Sequence, residues 1–189
     1  MKDDVKKWIE QDGEKFLEGV GIKKGQIVLD FGSSEGHYTI PASKVVGANA
    51  KVYALDKDKG VLDKLKKTLN NNNIKNIELI KKETKIPLED NSLDVILCYD
   101  VIHYQNKEQR ITVYNEIHRV LRKEGLFSVY PKHHKEDYPM MELADINLEN
   151  VVEEIEKAGF ILESKLLKTL LHDKNYNEGY ILNFRKRLE

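Results

Sequence analysis

Asp30-Phe31-Gly32-Ser33-Ser34-Glu35-Gly36 sets an acid at the end of an apolar run and follows it with two glycines. A buried strand that runs into a glycine-bearing turn and then a helix lets a ligand approach the backbone. The helix start also turns unpaired N–H groups toward that ligand. About twenty residues later Asp56 closes a second apolar run, where a carboxylate can accept both hydroxyls of a ribose. Histidines follow the later apolar runs: His103 after Tyr99-Asp100, and His133-His134 after Pro131. An imidazole near its ordinary pKa suits removal of a proton from a reacting group, so His103, His133 and His134 are the candidate catalytic residues. The same three could bind a metal with Asp100, but loop histidines meet by chance more often than that, and no metal ion is expected. His118 reads as a half-exposed helix residue and His172 as part of a polar loop.

These residues need strand ends and helix starts to position them, and the chain supplies both in alternation. Short β-branched runs at 26–31, 51–55, 77–80, 93–99 and 126–130 read as strands. Helical spacing follows most of them: 37–46 with Pro41 near its start, Val61-Leu62-Leu65-Leu69, then Ile111-Tyr114-Ile117-Leu121 stopped by Lys123-Glu124-Gly125 as a basic last turn and glycine cap. Another helix carries Val151, Val152 and Ile155 and stops at Gly159. The segment 1–23 reads as helical, interrupted near Gly13. At the end, 160–171 and 180–185 read as two strands joined by a polar loop at 172–179. Strands alternating with helices imply a doubly wound, mostly parallel α/β sheet with helices on both faces, and the last pair makes one edge antiparallel.

The 189 residues fit a single domain, 1–189, with 40% hydrophobic and 33% charged residues. The formal net charge of -1 provides no footprint for a nucleic-acid backbone. Cys98 is the lone cysteine, which excludes an intrachain disulfide and a cysteine-based zinc site. The charged start and the absence of a long apolar run predict a cytoplasmic protein with no membrane partner.

Four segments, in order, carry a resemblance: Asp30-x-Gly32-x-Ser34-x-Gly36; Tyr53-Ala54-Leu55-Asp56; Lys82-Glu83-Thr84 with Ile86-Pro87-Leu88 and 91–97; and 119–126, Arg119-Val120-Leu121-Arg122-Lys123-Glu124-Gly125-Leu126. From about Lys24 onward the chain resembles the class I S-adenosylmethionine-dependent methyltransferases, the broad group that includes the ubiquinone- and menaquinone-biosynthesis enzymes. The resemblance implies a Rossmann-like seven-stranded sheet and S-adenosyl-L-methionine as cofactor. It would put Asp30, Gly32, Ser34 and Gly36 at the methionine part, Asp56 on the ribose, and Glu83 and Thr84 beside the adenine. Tyr99 and Asp100 would border the methyl-donor pocket. Ser34 stands where that family has a glycine, adding a side chain and restricting positive φ.

Methyl transfer from a sulfonium proceeds by positioning, with a base needed only if the acceptor must lose a proton. The expected acceptor is a small or medium organic molecule, held between the loops after the fourth and fifth strands. The segment 131–146 is a candidate lid, with Pro139, Met140, Met141 and Leu143 as apolar lining. A non-catalytic cofactor-binding protein is the alternative. A nicotinamide-dependent oxidoreductase is less favoured, because Gly32-Ser33-Ser34-Glu35-Gly36-His37 lacks glycines at the first, third and sixth positions. The sequence leaves the oligomeric state open.

Overall fold

The β-branched runs and helical stripes resolve, in a computed structural model that describes residues 3–135, 137 and 146–187, into seven strands with helices between them. The strands are β1 Val28–Phe31, β2 Val52–Asp56, β3 Ile77–Lys81, β4 Leu93–Tyr99, β5 Leu121–Tyr130, β6 Phe160–His172 and β7 Asn175–Lys186. They form one mixed sheet in the order β3-β2-β1-β4-β5-β7-β6. Pairing is parallel from β1 to β2, from β2 to β3 and from β4 to β5, and antiparallel from β5 to β7. The expected doubly wound class holds, including its antiparallel end. The proposed lid lies mostly outside the described residues, and Pro139, Met140, Met141 and Leu143 all do.

By contact the chain forms two compact units. The first runs to Glu83 and takes in Thr169–Glu178; the second is Thr84–Lys168 with the chain from Gly179 onward. In the first, α1 Asp3–Lys7 continues through a π-helical turn, Trp8–Asp12, into α2 Gly13–Val20. The interruption expected near Gly13 is therefore a widened turn within continuous helix. It is held by Trp8, whose indole N–H donates to the carbonyl of His37 at 2.9 Å. Two further helices are α3 Thr39–Val46 and α4 Lys59–Asn71. Leu62, Leu65 and Leu69 recur at helical spacing on α4, and Leu65 and Leu69 pack with Ile40 and Ala54 in a core cluster.

The second unit holds a short 3₁₀ turn Ile102–Tyr104, then α5 Lys107–Val120 and α6 Leu148–Lys157. Asn106 and Gln109 close a reciprocal capping box on α5, as Asn147 and Asn150 do on α6. Helix α5 does not end on the expected glycine cap. It stops at Val120, and Leu121 already pairs with Leu93. The next matched pair is Val95 with Leu126, so 122–125 loops out of the ladder, with Glu124 left-handed at φ 58°. The buried face of α5 is Val113, Tyr114, Ile117 and Val120, whereas Ile111 faces out. The polar loop expected at 172–179 is also shorter than its composition suggests. Strand β6 runs through His172 and β7 resumes at Asn175, leaving a turn at Asp173-Lys174. No helix among the described residues is long and apolar enough to cross a membrane.

Candidate active site: a glycine turn and a histidine-bearing strand end

In the first unit, β1 ends in Asp30 and Phe31 and the chain turns through three left-handed residues: Gly32 at φ 79°, Ser34 at 47° and Gly36 at 87°. Gly32 and Ser33 both donate their N–H to the carbonyl of Leu55, at 2.8 and 3.0 Å, which ties the turn to the end of β2. A Cβ on Gly36 would run into the Leu65 side chain, so this glycine is required by packing against α4 as well as by backbone shape.

Asp30 is buried, and its carboxylate accepts the Thr39 hydroxyl at 2.6 Å, fastening the strand end to the first residue of α3. Desolvation pushes its pKa up to about 7, with Asp56 adding to the rise and the Thr39 hydrogen bond opposing it.

Asp56, the candidate for the ribose, closes β2. Its two oxygens accept the N–H groups of Ser34 at 2.8 Å and Asp58 at 2.9 Å. Each oxygen of an ionised carboxylate has a second lone pair, so acceptor capacity remains for hydroxyls. Ser33 adds a buried hydroxyl with no hydrogen-bond partner among the described residues. A left-handed turn, a bracing carboxylate with spare lone pairs and an unmatched buried hydroxyl together fit the nucleoside and amino-acid parts of S-adenosylmethionine. Glu83 stands exposed just beyond β3, in an ion pair with Lys57 at 3.3 Å. His37, just beyond the turn, has its pKa lowered, first by burial and further by Lys174, against the opposing pull of Glu35. Tyr38 belongs to an aromatic cluster with Trp8 and Phe16, and its hydroxyl donates to Leu171 O at 2.5 Å.

In the second unit, Thr84 is half-buried in a loop, and Tyr99 is buried with its hydroxyl 2.7 Å from Ser128 Oγ on the neighbouring strand. The Asp100 N–H donates to Tyr130 O at 3.0 Å, closing β4 against β5, and its backbone is left-handed at φ 60°. Its Oδ1 lies 3.4 Å from His103 Nδ1 and 3.7 Å from His133 Nε2. The two imidazoles stand edge to face, ring centres 4.6 Å apart, and both are buried. His133 is itself left-handed at φ 66°. Its N–H donates to Asp137 Oδ2 at 2.9 Å, while Asp137 Oδ1 pairs with the buried Lys132 Nζ at 2.6 Å. Burial pushes the Asp137 pKa up, but the Lys132 and His133 hydrogen bonds outweigh it and hold the pKa low.

The strand ends thus bring Asp100, His103 and His133 together. His134, next in sequence to His133, is also buried. Lys132 and Asp137 are the supporting residues that motif reading missed. The signal was a lysine beside two histidines with an aspartate four positions past the first of them.

The family's methyltransferase domain model matches residues 22–176, and the chain belongs to that family. Its fold and strand order make it a class I S-adenosylmethionine-dependent methyltransferase domain. A solved S-adenosylmethionine-dependent methyltransferase from Aquifex aeolicus superposes with a TM-score of 0.77 at 27% identity, over 96% of this chain and 93% of that one. The demethylmenaquinone methyltransferase of Lactococcus lactis is 32% identical over 113 residues, 59% of this chain and 44% of that protein. A probable cobalt-precorrin-6B C(15)-methyltransferase of Sulfurisphaera tokodaii is 34% identical over 74 residues, 38% of each chain. The chain spans less than half the length of these curated relatives. Family membership sets the nicotinamide alternative aside.

Proposed function

We propose that this protein, acting as one domain in the cytosol, methylates a small or medium organic acceptor that must lose a proton on reaction. The observation that carries this reading is the Asp100–His103–His133 group, built on two left-handed residues at the ends of neighbouring strands. Non-glycine residues in that backbone region cost of order 1–3 kcal/mol each and gather at functional sites. Two of the similar proteins are named for organic acceptors, a demethylmenaquinone and a cobalt-precorrin, which supports the size class. The near-neutral net charge of -1 supports neither nucleic acid nor a lipid surface as the target.

Bound S-adenosylmethionine supplies an electrophilic methyl group on a sulfonium. Asp56 would accept the ribose hydroxyls while its bonds to Ser34 and Asp58 keep the carboxylate aimed, and the Gly32–Gly36 turn would admit the amino-acid portion. Asp100 orients the imidazoles: accepting a hydrogen bond from one ring N–H favours the tautomer whose other nitrogen is free to act as a base. The 3.4 and 3.7 Å separations are longer than hydrogen bonds, as is common before a substrate tightens such a site. His103 or His133 then takes the acceptor's proton, and the Lys132–Asp137 pair fixes the His133 backbone.

The experiment is a mass-spectrometric screen of a metabolite extract for cofactor-dependent methylation, repeated with Asp100→Ala, His103→Ala, His133→Ala and His134→Ala. Loss of a general base reduces turnover roughly 10²–10⁴-fold. The expected result is that loss for Asp100→Ala and for at least one histidine variant, with S-adenosylhomocysteine affinity kept. Full activity in all four would place the acceptor elsewhere. Tight cofactor binding with no methylated product in any extract would favour a non-catalytic binding protein.

A further inference from the structure

The two edges of the sheet are built differently. Strand β3 at one edge is five residues long, while β6 at the other is thirteen. Short edge strands guard against unwanted pairing, and a long one presents a row of backbone groups to any strand that comes alongside. The hairpin of β6 and β7 also carries three of the five exposed large hydrophobic side chains among the described residues: Ile161 at 47%, Leu167 at 56% and Tyr180 at 39% exposure.

The hydrogen bonds at the start of β6 show which backbone groups point away from β7. Arg187 N–H donates to Gly159 O at 2.9 Å, and Leu162 N–H turns to Glu156 Oε1 at 3.3 Å. Backbone direction alternates along a strand. Leu162, Ser164, Leu166 and Lys168 therefore direct their N–H and C=O outward, while the exposed side chains Ile161, Glu163, Lys165 and Leu167 share one face.

We infer that β6 is a homodimer interface in which two copies of this chain pair their edge strands antiparallel about Ser164. A two-fold axis perpendicular to the sheet keeps each face on its own side, so it must lie midway between a residue and the same residue of the second copy. Centred on Ser164, Glu163 meets Lys165 of the second copy twice, and Ile161 meets Leu167 of the second copy twice. On the opposite face Leu162 meets Leu166, and there the Leu162 N–H exchanges Glu156 Oε1 for the Leu166 carbonyl of the second copy. Centring on Glu163 or Lys165 sets like charges against each other, and centring on Leu162 or Leu166 sets a charged residue against an apolar one. Only the Ser164 register matches charge with opposite charge and apolar with apolar, the pairings that stabilise neighbouring strands. Glu163 holds Arg185 at 3.0 Å, and Lys165 lies 4.5 Å over the Tyr180 ring and 3.9 Å from Glu149 Oε1. Both charges are thereby held at the edge, and the second copy adds a partner to each.

The test is sedimentation velocity on the full chain over a concentration series from low to high micromolar, for the native protein, Glu163→Lys, Lys165→Glu and the double exchange. Each single reversal converts both symmetry-related contacts from attractive to repulsive. The expected result is a native dimer whose dissociation constant rises about tenfold or more in each single variant and returns toward native in the double. Each single reversal also breaks an internal pair, Glu163 with Arg185 and Lys165 with Glu149, so recovery in the double exchange, which repairs neither, carries the comparison if a single variant melts early. A native protein that stays monomeric throughout overturns the inference. So does a dimer indifferent to Lys165→Glu.

Discussion

The turn after β1 and the ends of β4 and β5 both contain non-glycine residues in left-handed backbone, and they use it to different ends. At the turn, Ser34 at φ 47° lends only its N–H to Asp56, and its side chain is exposed. At the strand ends, Asp100 and His133 are left-handed, Asp100 half-buried and His133 buried, with their side chains directed at one another. In the first region the backbone conformation is the useful part and the side chain is tolerated. In the second the conformation serves to aim the side chains. Left-handed residues also occur in plain turns, as at Asn73 and Glu124, so which atoms of such a residue matter depends on where its side chain goes.

The largest effect expected from this contrast comes from Asp30. Its pKa is about 7 in the folded protein against 3.8 for the free group, so between those values the folded state holds a proton the unfolded state has released. The stabilisation is complete below about pH 4 and is lost as pH rises toward 7. The shift corresponds to at most about 4 kcal/mol. Urea unfolding of the cofactor-free protein should thus show stability falling across that window, and Asp30→Asn should flatten the fall. A native profile that rises with pH there would contradict the assignment.

A smaller effect separates the two left-handed sets. Ser34→Gly should raise stability by about 1 kcal/mol or less, since relief of the left-handed strain is partly offset by glycine's greater entropy when unfolded. Cofactor affinity should hold or improve. His133→Gly relieves the same kind of strain but should lose methylation. Paired denaturant melts and activity assays check both. Weaker cofactor binding by Ser34→Gly would mean that the hydroxyl, not the backbone, meets the ligand.

The turn after β1 was the more legible in sequence because its features are local: an acid, a turn and a second strand-end acid at set spacings. Each strand core was legible for the same reason, as a run of apolar residues. What escaped depends on contacts distant in sequence. The stretch Asn175-Tyr176-Asn177-Glu178-Gly179 reads as loop from composition, yet Tyr176 is tied to Asp12 by a 2.7 Å hydrogen bond and the segment is strand. The end of α5 was misread because Leu121 is claimed by Leu93 before the helix can reach Gly125. The histidines were recognised by type, but only folding shows that Asp100 faces two of them.

Calorimetric titration with S-adenosylhomocysteine of the native protein and Asp56→Ala tests the central claim most directly, that the turn after β1 and the end of β2 hold the cofactor. Asp56 is a charged acceptor, and hydrogen bonds to charged groups contribute roughly 1.5–3 kcal/mol. The account predicts affinity reduced by roughly ten- to a hundredfold or more in Asp56→Ala, with the variant still folded. Unchanged affinity in a folded Asp56→Ala would contradict it.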